Sequence, residues 1–192
     1  MAKIKTLHDL FIHELSDIYS AEKQLTRALP KMARASSDPQ LAEAFRSHLE
    51  ETQGQVERID RIVEASDLKL KRIKCMAMEG LVEEGKEVIE EVEEGPVRDA
   101  ALIAAAQKVE HYEIAGYGTL CTYAKLLGLN DAVKLLKETL AEEKGACPDA
   151  EERGIMERFS HKLAIAPTAS ISIICGGTSA GIEPIPANIY TH

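Results

Sequence analysis

With 192 residues, 45% of them hydrophobic and 29% charged, the chain is long enough for one domain with its own core and a short appendage. A net charge of −9 argues against nucleic acid or an anionic membrane surface as the main partner. No apolar run approaches the roughly 18 residues that a bilayer span needs.

MAKIKTLHDLF turns amphipathic at once and has no signal-peptide core. Cys75, Cys121, Cys147 and Cys175 form neither a CxxC pair nor a zinc spacing, which points to a cytoplasmic protein with free thiols. Ala, Leu, Glu and Lys dominate as far as about Lys144, and they predict helix throughout that part.

The first helix is predicted from Thr6, a capping residue with Asp9 three positions on, to about Ala35. Its stripe is Phe11, Leu15, Ile18, Glu22, Leu25, Leu29 and Met32, spaced alternately four and three, with Glu22 in the middle slot. Glu14 and Asp17 fall off the stripe and are expected to be solvated. Pro30 should kink the last turn and a half without ending the helix.

Ser37-Asp38-Pro39 restarts the chain, and a second helix runs to about Ser66 on the face Leu41, Phe45, Leu49, Thr52, Val56, Ile59, Val63. Beside that face lies a polar strip of His48, Glu51 and Gln55. Between Asp67 and Pro96 come a basic run and a short helical pattern over Met76–Glu91. This is far more than a tight turn needs, and enough to travel back along a helix of about 40 Å. Such a segment suits a long crossover between the second and third bundle helices.

The third bundle helix, about Val97 to Leu127, carries the stripe Ile103, Ala106, Glu110, Glu113, Tyr117, Leu120, Ala124, Leu127. Two of its slots hold glutamates one turn apart. A buried unpaired carboxylate costs several kcal/mol or takes up a proton, and two together repel. A cation between them would offset both penalties. Cys121 lies beside this stripe and is expected to be buried. Gly128 stops the helix and Asn130-Asp131 restart it, giving a fourth stripe of Leu129, Val133, Leu136, Leu140 and Glu143. Gly145 and Pro148 then disfavour continuation.

Each helix thus brings a carboxylate to the core or its edge: Glu22, Glu51, Glu110 with Glu113, and Glu143. That is the logic of a dinuclear centre, in which hard oxygen ligands hold two metal ions, iron or manganese, with Glu110 as a bridging ligand. The competing reading places these acids in a crevice, at a dimer interface or against Lys and Arg partners. Glu-x-x-His pairs are missing. His48 could donate a nitrogen or be a core histidine satisfied by hydrogen bonds, and His111 points off the stripe. Tyr117 reads as core. Gln55 and Glu142 are expected behind the ligands, with His48 as an additional ligand or beside them.

FIHELSDIYSAEKQLTRALPKMARA, HLEETQGQVERID, CMAMEGLVEEGKEVIE, RDAALIAAAQKVEHYEIAGYGTL and LLKETLAEEK closely resemble the YciF-type bacterial stress proteins of the ferritin-like superfamily, almost continuously from Leu7 to Lys144. The resemblance implies an all-α, ferritin-like four-helix bundle that is cytoplasmic, dimeric and associated with stress, with a two-metal carboxylate site. By position Glu22, Glu51, Glu110, Glu113 and Glu143 are the matching acids. The stretch from Pro148 to His192 instead resembles an internal piece of the large subunit of class I ribonucleotide reductase, far too short to rebuild that active site. The expected organisation is a bundle over 1–147, truncated in its fourth helix, and an irregular foreign tail over 148–192.

The function expected is that of a di-metal carboxylate protein, a slow oxidase or a scavenger of metal or peroxide acting on a small-molecule oxidant. The alternative is a non-enzymatic helical dimer or scaffold with structural core glutamates.

Overall fold

The computed structural model describes residues 3–146, and the predicted tail and Cys147 and Cys175 lie outside the described residues. Five helices make up this part, with no strand among the described residues: α1 (Leu7–Ala35), α2 (Pro39–Ala65), α3 (Met76–Glu91), α4 (Pro96–Leu126) and α5 (Asn130–Ala146). No described helix is long and apolar enough to cross a membrane. α1 packs on α2 and α4, and α5 packs on α2 and α4, which closes a four-helix bundle. The crossover helix α3 lies against α1 and α4.

Local chemistry accounts for each boundary. Thr6 Oγ1 accepts the Asp9 N–H at 3.0 Å, and Asp38 Oδ1 accepts from Gln40 and Leu41 with Pro39 in the first helical turn. α1 continues through Pro30 to Ala35. At the end of α4, Gly128 has φ +73°, and the N–H groups of Gly128 and Leu129 donate to Lys125 and Ala124. This is a Schellman turn, whose left-handed position favours glycine. α2 ends in the same way, with Asp67 at φ 47° and Leu68 N–H donating to Val63 O.

Two long-range ties place the connections. The buried carboxylate of Asp99, in the first turn of α4, accepts the N–H groups of Ser37 and Asp38 at 2.8 and 3.0 Å. Along α1, Ser16, Ser20 and Gln24 stand one turn apart and hold the crossover through Lys71 N–H, Cys75 N–H and Cys75 O. Asp17 is not solvated as expected: it is half-buried and accepts the Tyr112 hydroxyl, which also lies 3.0 Å from Cys75 Sγ. Among the described residues, Cys75 is the buried thiol, whereas Cys121, expected to be buried, is half-exposed at the edge of the core.

Every apolar position of the predicted α1 stripe is buried, and so is Glu22. On α4, Ala105 is buried and Ala106 only partly. The buried face of α5 is rotated from the expected one, to Ala132, Leu135, Leu136, Thr139 and Glu143, and leaves Leu129, Val133 and Leu140 half-buried. Leu129 belongs to the Schellman turn before α5, and Val133 and Leu140 pack at the edge of the apolar cluster.

Candidate metal centre

Four helices converge on one polar pocket of the core. α1 supplies Glu22, α2 supplies His48 and Gln55, α4 supplies Glu110, Glu113 and Tyr117, and α5 supplies Glu143. Gly116 makes the approach of α1 to α4 close at this level, since a Cβ there would overlap the Ile18 side chain. Glu22, Glu110, Glu113 and Glu143 are each less than a tenth exposed.

One ligand atom from each of His48, Glu110, Glu113 and Glu143 lies within 4.8 Å of all the others, so that these four side chains could hold a metal ion. His48 Nδ1 is 3.2 Å from Glu110 Oε1. Glu22 stands next to this group. Its Oε1 accepts the Tyr117 hydroxyl, and its charge acts on Glu113. Gln55 Nε2 donates to Glu143 Oε1. Behind Glu143, Arg58 grips both carboxylate oxygens of Glu142 and donates to Thr139 Oγ1 at 3.1 Å. Glu51 is exposed and lies outside the group of four, but its charge reaches Glu110 and Glu143. His111 is exposed, as expected from its place off the stripe.

The electrostatics are those of crowded acids in a dry place. Among the described residues, five buried oxygens meet no N–H or O–H donor: Glu22 Oε2, Gln55 Oε1, Glu110 Oε2 and both oxygens of Glu113. Beyond their burial, the carboxyls crowd one another, and the charge of Glu143 raises Glu110 as that of Glu22 raises Glu113. Burial first, opposed by the Tyr117 hydroxyl, pushes Glu22 up to about 8. Burial and then the Glu143 charge push Glu110 up to about 10. Glu113 is raised well above the usual carboxylate range by burial and by Glu22, and Glu143 is raised by burial. Burial holds His48 down at about 4, so its imidazole is neutral at neutral pH and has a lone pair to give. The His48–Glu110 contact is therefore not an ion pair at that pH.

Buried oxygens that lack donors, a neutral imidazole and four carboxyls that a positive charge would bring back to the ionised form are a donor set suited to a hard divalent cation. Of the outer layer, Gln55 and Glu142 are expected from the sequence behind the ligands and Tyr117 only as a core residue, whereas Arg58 gives no signal in helical spacing, because it is chosen by contacts between helices.

The Escherichia coli (strain K12) protein YciF is 69% identical to this chain over 142 residues, covering 73% of this chain and 86% of YciF. The crystal structure of the E. coli stress protein YciF matches with a TM-score of 0.73 at 68% identity, over 74% of this chain and 91% of that one. YcfI from Rhodopseudomonas palustris matches with a TM-score of 0.72 at 46% identity, over 75% of this chain and 92% of that one. A stretch of 51 residues is 53% identical to the ribonucleoside-diphosphate reductase large subunit of Invertebrate iridescent virus 3, covering 27% of this chain but only 8% of that protein. The model of the family described as a domain of unknown function, DUF892, matches residues 6–152, and the chain belongs to that family.

Proposed function

We propose that the bundle holds two metal ions, iron or manganese, and serves in a bacterial stress response as a slow oxidase or a scavenger of metal or peroxide. The observation that carries this reading is the set of buried carboxylate oxygens without donors, beside four ligand atoms within 4.8 Å of one another. His48, Glu110, Glu113 and Glu143 would hold one ion. Glu22, next to Glu113, would complete a second position. Glu113 is a better bridging ligand than Glu110, since both its oxygens lack donors and the charges of Glu22, Glu143 and Glu110 all act on it. Glu51 would act from the rim.

When bound, the ions would supply the capacity to exchange electrons with a small oxidant. The chain's own part is to present oxygen ligands in fixed positions. Tyr117 and Gln55 each occupy one oxygen of a ligand carboxyl and so orient the other. The surrounding apolar core keeps water away. The link to stress rests on the similarity to YciF, which is described as a stress protein.

Metal analysis of protein purified without chelator tests the reading, and about two iron or manganese ions per chain are expected from a dinuclear carboxylate site. A stable, correctly folded protein that stays metal-free after incubation with Fe(II) and with Mn(II) would favour the helical scaffold instead.

A further inference from the structure

Away from the carboxylates, α1, α3 and α4 enclose a cleft of about 680 Å³. Its floor is aliphatic, with Leu25, Met32, Leu81, Ile89 and Val109 among its lining, and no aromatic ring is present there to stack a base. Gly85 is buried in the wall, yet a Cβ added to it would meet no atom within 4 Å. The space in front of it is open cleft.

The rim is basic in a chain whose net charge is −9. Arg27, Lys31, Arg34, Lys74, Lys86 and Arg98 line it, against the single carboxylate of Glu90. Lys74 pairs with Glu79, and Lys86 pairs with Glu83 and Glu90. Arg27, Lys31 and Arg34 have no ion pair or hydrogen bond among the described residues. The Asp99 bonds to Ser37 and Asp38 bring the start of α4 to the end of α1, so Arg34 and Arg98 stand at the same end of the cleft. Arg98 uses its Nε–H on Val92 O and keeps the rest of its guanidinium for another acceptor.

We infer that this cleft binds a single-chain anionic amphiphile, a long-chain fatty acid, with the acyl chain along the aliphatic floor and the carboxylate between Lys31, Arg34 and Arg98. The volume falls in the range of about 300–1,000 Å³ typical of small-molecule pockets. The two halves of such a ligand match the two surfaces present. A neutral lipid would leave the guanidinium groups unpaired, and a cationic one would be repelled by them.

The test is calorimetric titration of the full-length protein with sodium dodecanoate below its micelle concentration, with dodecyltrimethylammonium bromide as the counterpart of opposite charge. Saturable dodecanoate binding is expected, with the cationic surfactant at least about tenfold weaker. Gly85→Leu fills the open space while raising helix propensity, and should abolish binding. Arg34→Glu, on the exposed rim, should weaken it at least about tenfold with the circular dichroism spectrum unchanged. No dodecanoate binding, equal binding of the two surfactants, or dodecanoate binding that neither variant alters would each overturn the inference.

Discussion

The same four helices build two unlike parts of one core, with further buried apolar residues, Leu25, Leu29, Met32, Phe45 and Leu102, beyond the second. Toward the start of α1 and the end of α4, Phe11, Leu15, Ile59, Ile62, Leu120 and Leu136 pack into an apolar cluster. Farther along the same helices, Glu22, Glu110, Glu113 and Glu143 occupy equivalent inward positions. Tyr117 belongs to both, with its ring in the cluster and its hydroxyl on Glu22. Burial alone stabilises the first part, about 25 cal/mol for each Å² of apolar surface, whatever the pH. The second part stabilises the fold only when protons or a cation neutralise it. One part is an unconditional source of stability and the other a conditional one.

The contrast can be broken most forcefully on α4 itself. Leu120→Ala should cost about 2–5 kcal/mol, with or without metal, by leaving a cavity in a fully buried site. Two turns earlier on the same stripe, Glu113→Leu should abolish metal binding yet leave the metal-free protein more stable, by about 1 kcal/mol or more. Thermal melts of both variants with and without added Mn(II) check the pair. A Glu113→Leu protein that still binds metal at wild-type stoichiometry would remove Glu113 from the centre.

The pH dependence sharpens the difference further. Four carboxyls have folded values above their ordinary ones, so the folded state retains protons that the unfolded chain has lost. Their contribution is complete below about 4.5 and is lost as pH rises through the folded values, near 8 for Glu22. His48 acts in the opposite sense, because its folded value near 4 favours the folded state increasingly up to its ordinary 6.5. Between those two limits the single imidazole is outnumbered, and above 6.5 it no longer opposes. Metal-free protein should therefore lose about 1.4 kcal/mol per pH unit for each retained proton between neutrality and pH ~8. Saturating metal, which displaces the protons, should flatten this slope in denaturant titrations.

The smallest effect belongs to the residue shared by the two parts. Tyr117→Phe keeps the ring and removes the donor to Glu22, at a cost of about 1–2 kcal/mol in the metal-free protein. Metal affinity should fall modestly and occupancy should survive. Complete loss of metal would make Tyr117 more than an orienting partner.

Much of this division could be read in the residues, because a helix repeats. Glu22, Glu110, Glu113 and Glu143 stood out by taking slots that the spacing assigns to the core, and all are buried. The helix boundaries came from caps and turns, and the observed ones fall within one or two residues of them. Glu51 shows the limit of spacing. At about 100° per residue, Gln55 lies within about 20° of His48, whereas Glu51 is swung about 60° aside, enough to bring it out to solvent. The Asp17–Tyr112–Cys75 contact and the Asp99 tie join positions whose meeting depends on the path of the crossover, which no local pattern records.

The connectivity has a kinetic consequence. α1 with α2, and α4 with α5, are hairpins closed by short turns, whereas the two pairs are joined only through the long crossover that contains α3. Local hairpins form faster than contacts between distant segments, so docking of the pairs is the natural late step of folding and their separation the natural first step of unfolding. Glu22 and His48 come from one hairpin, and Glu110, Glu113 and Glu143 from the other. An ion held among them would clasp the two pairs across the plane along which they part, and would act chiefly on the rate at which they come apart.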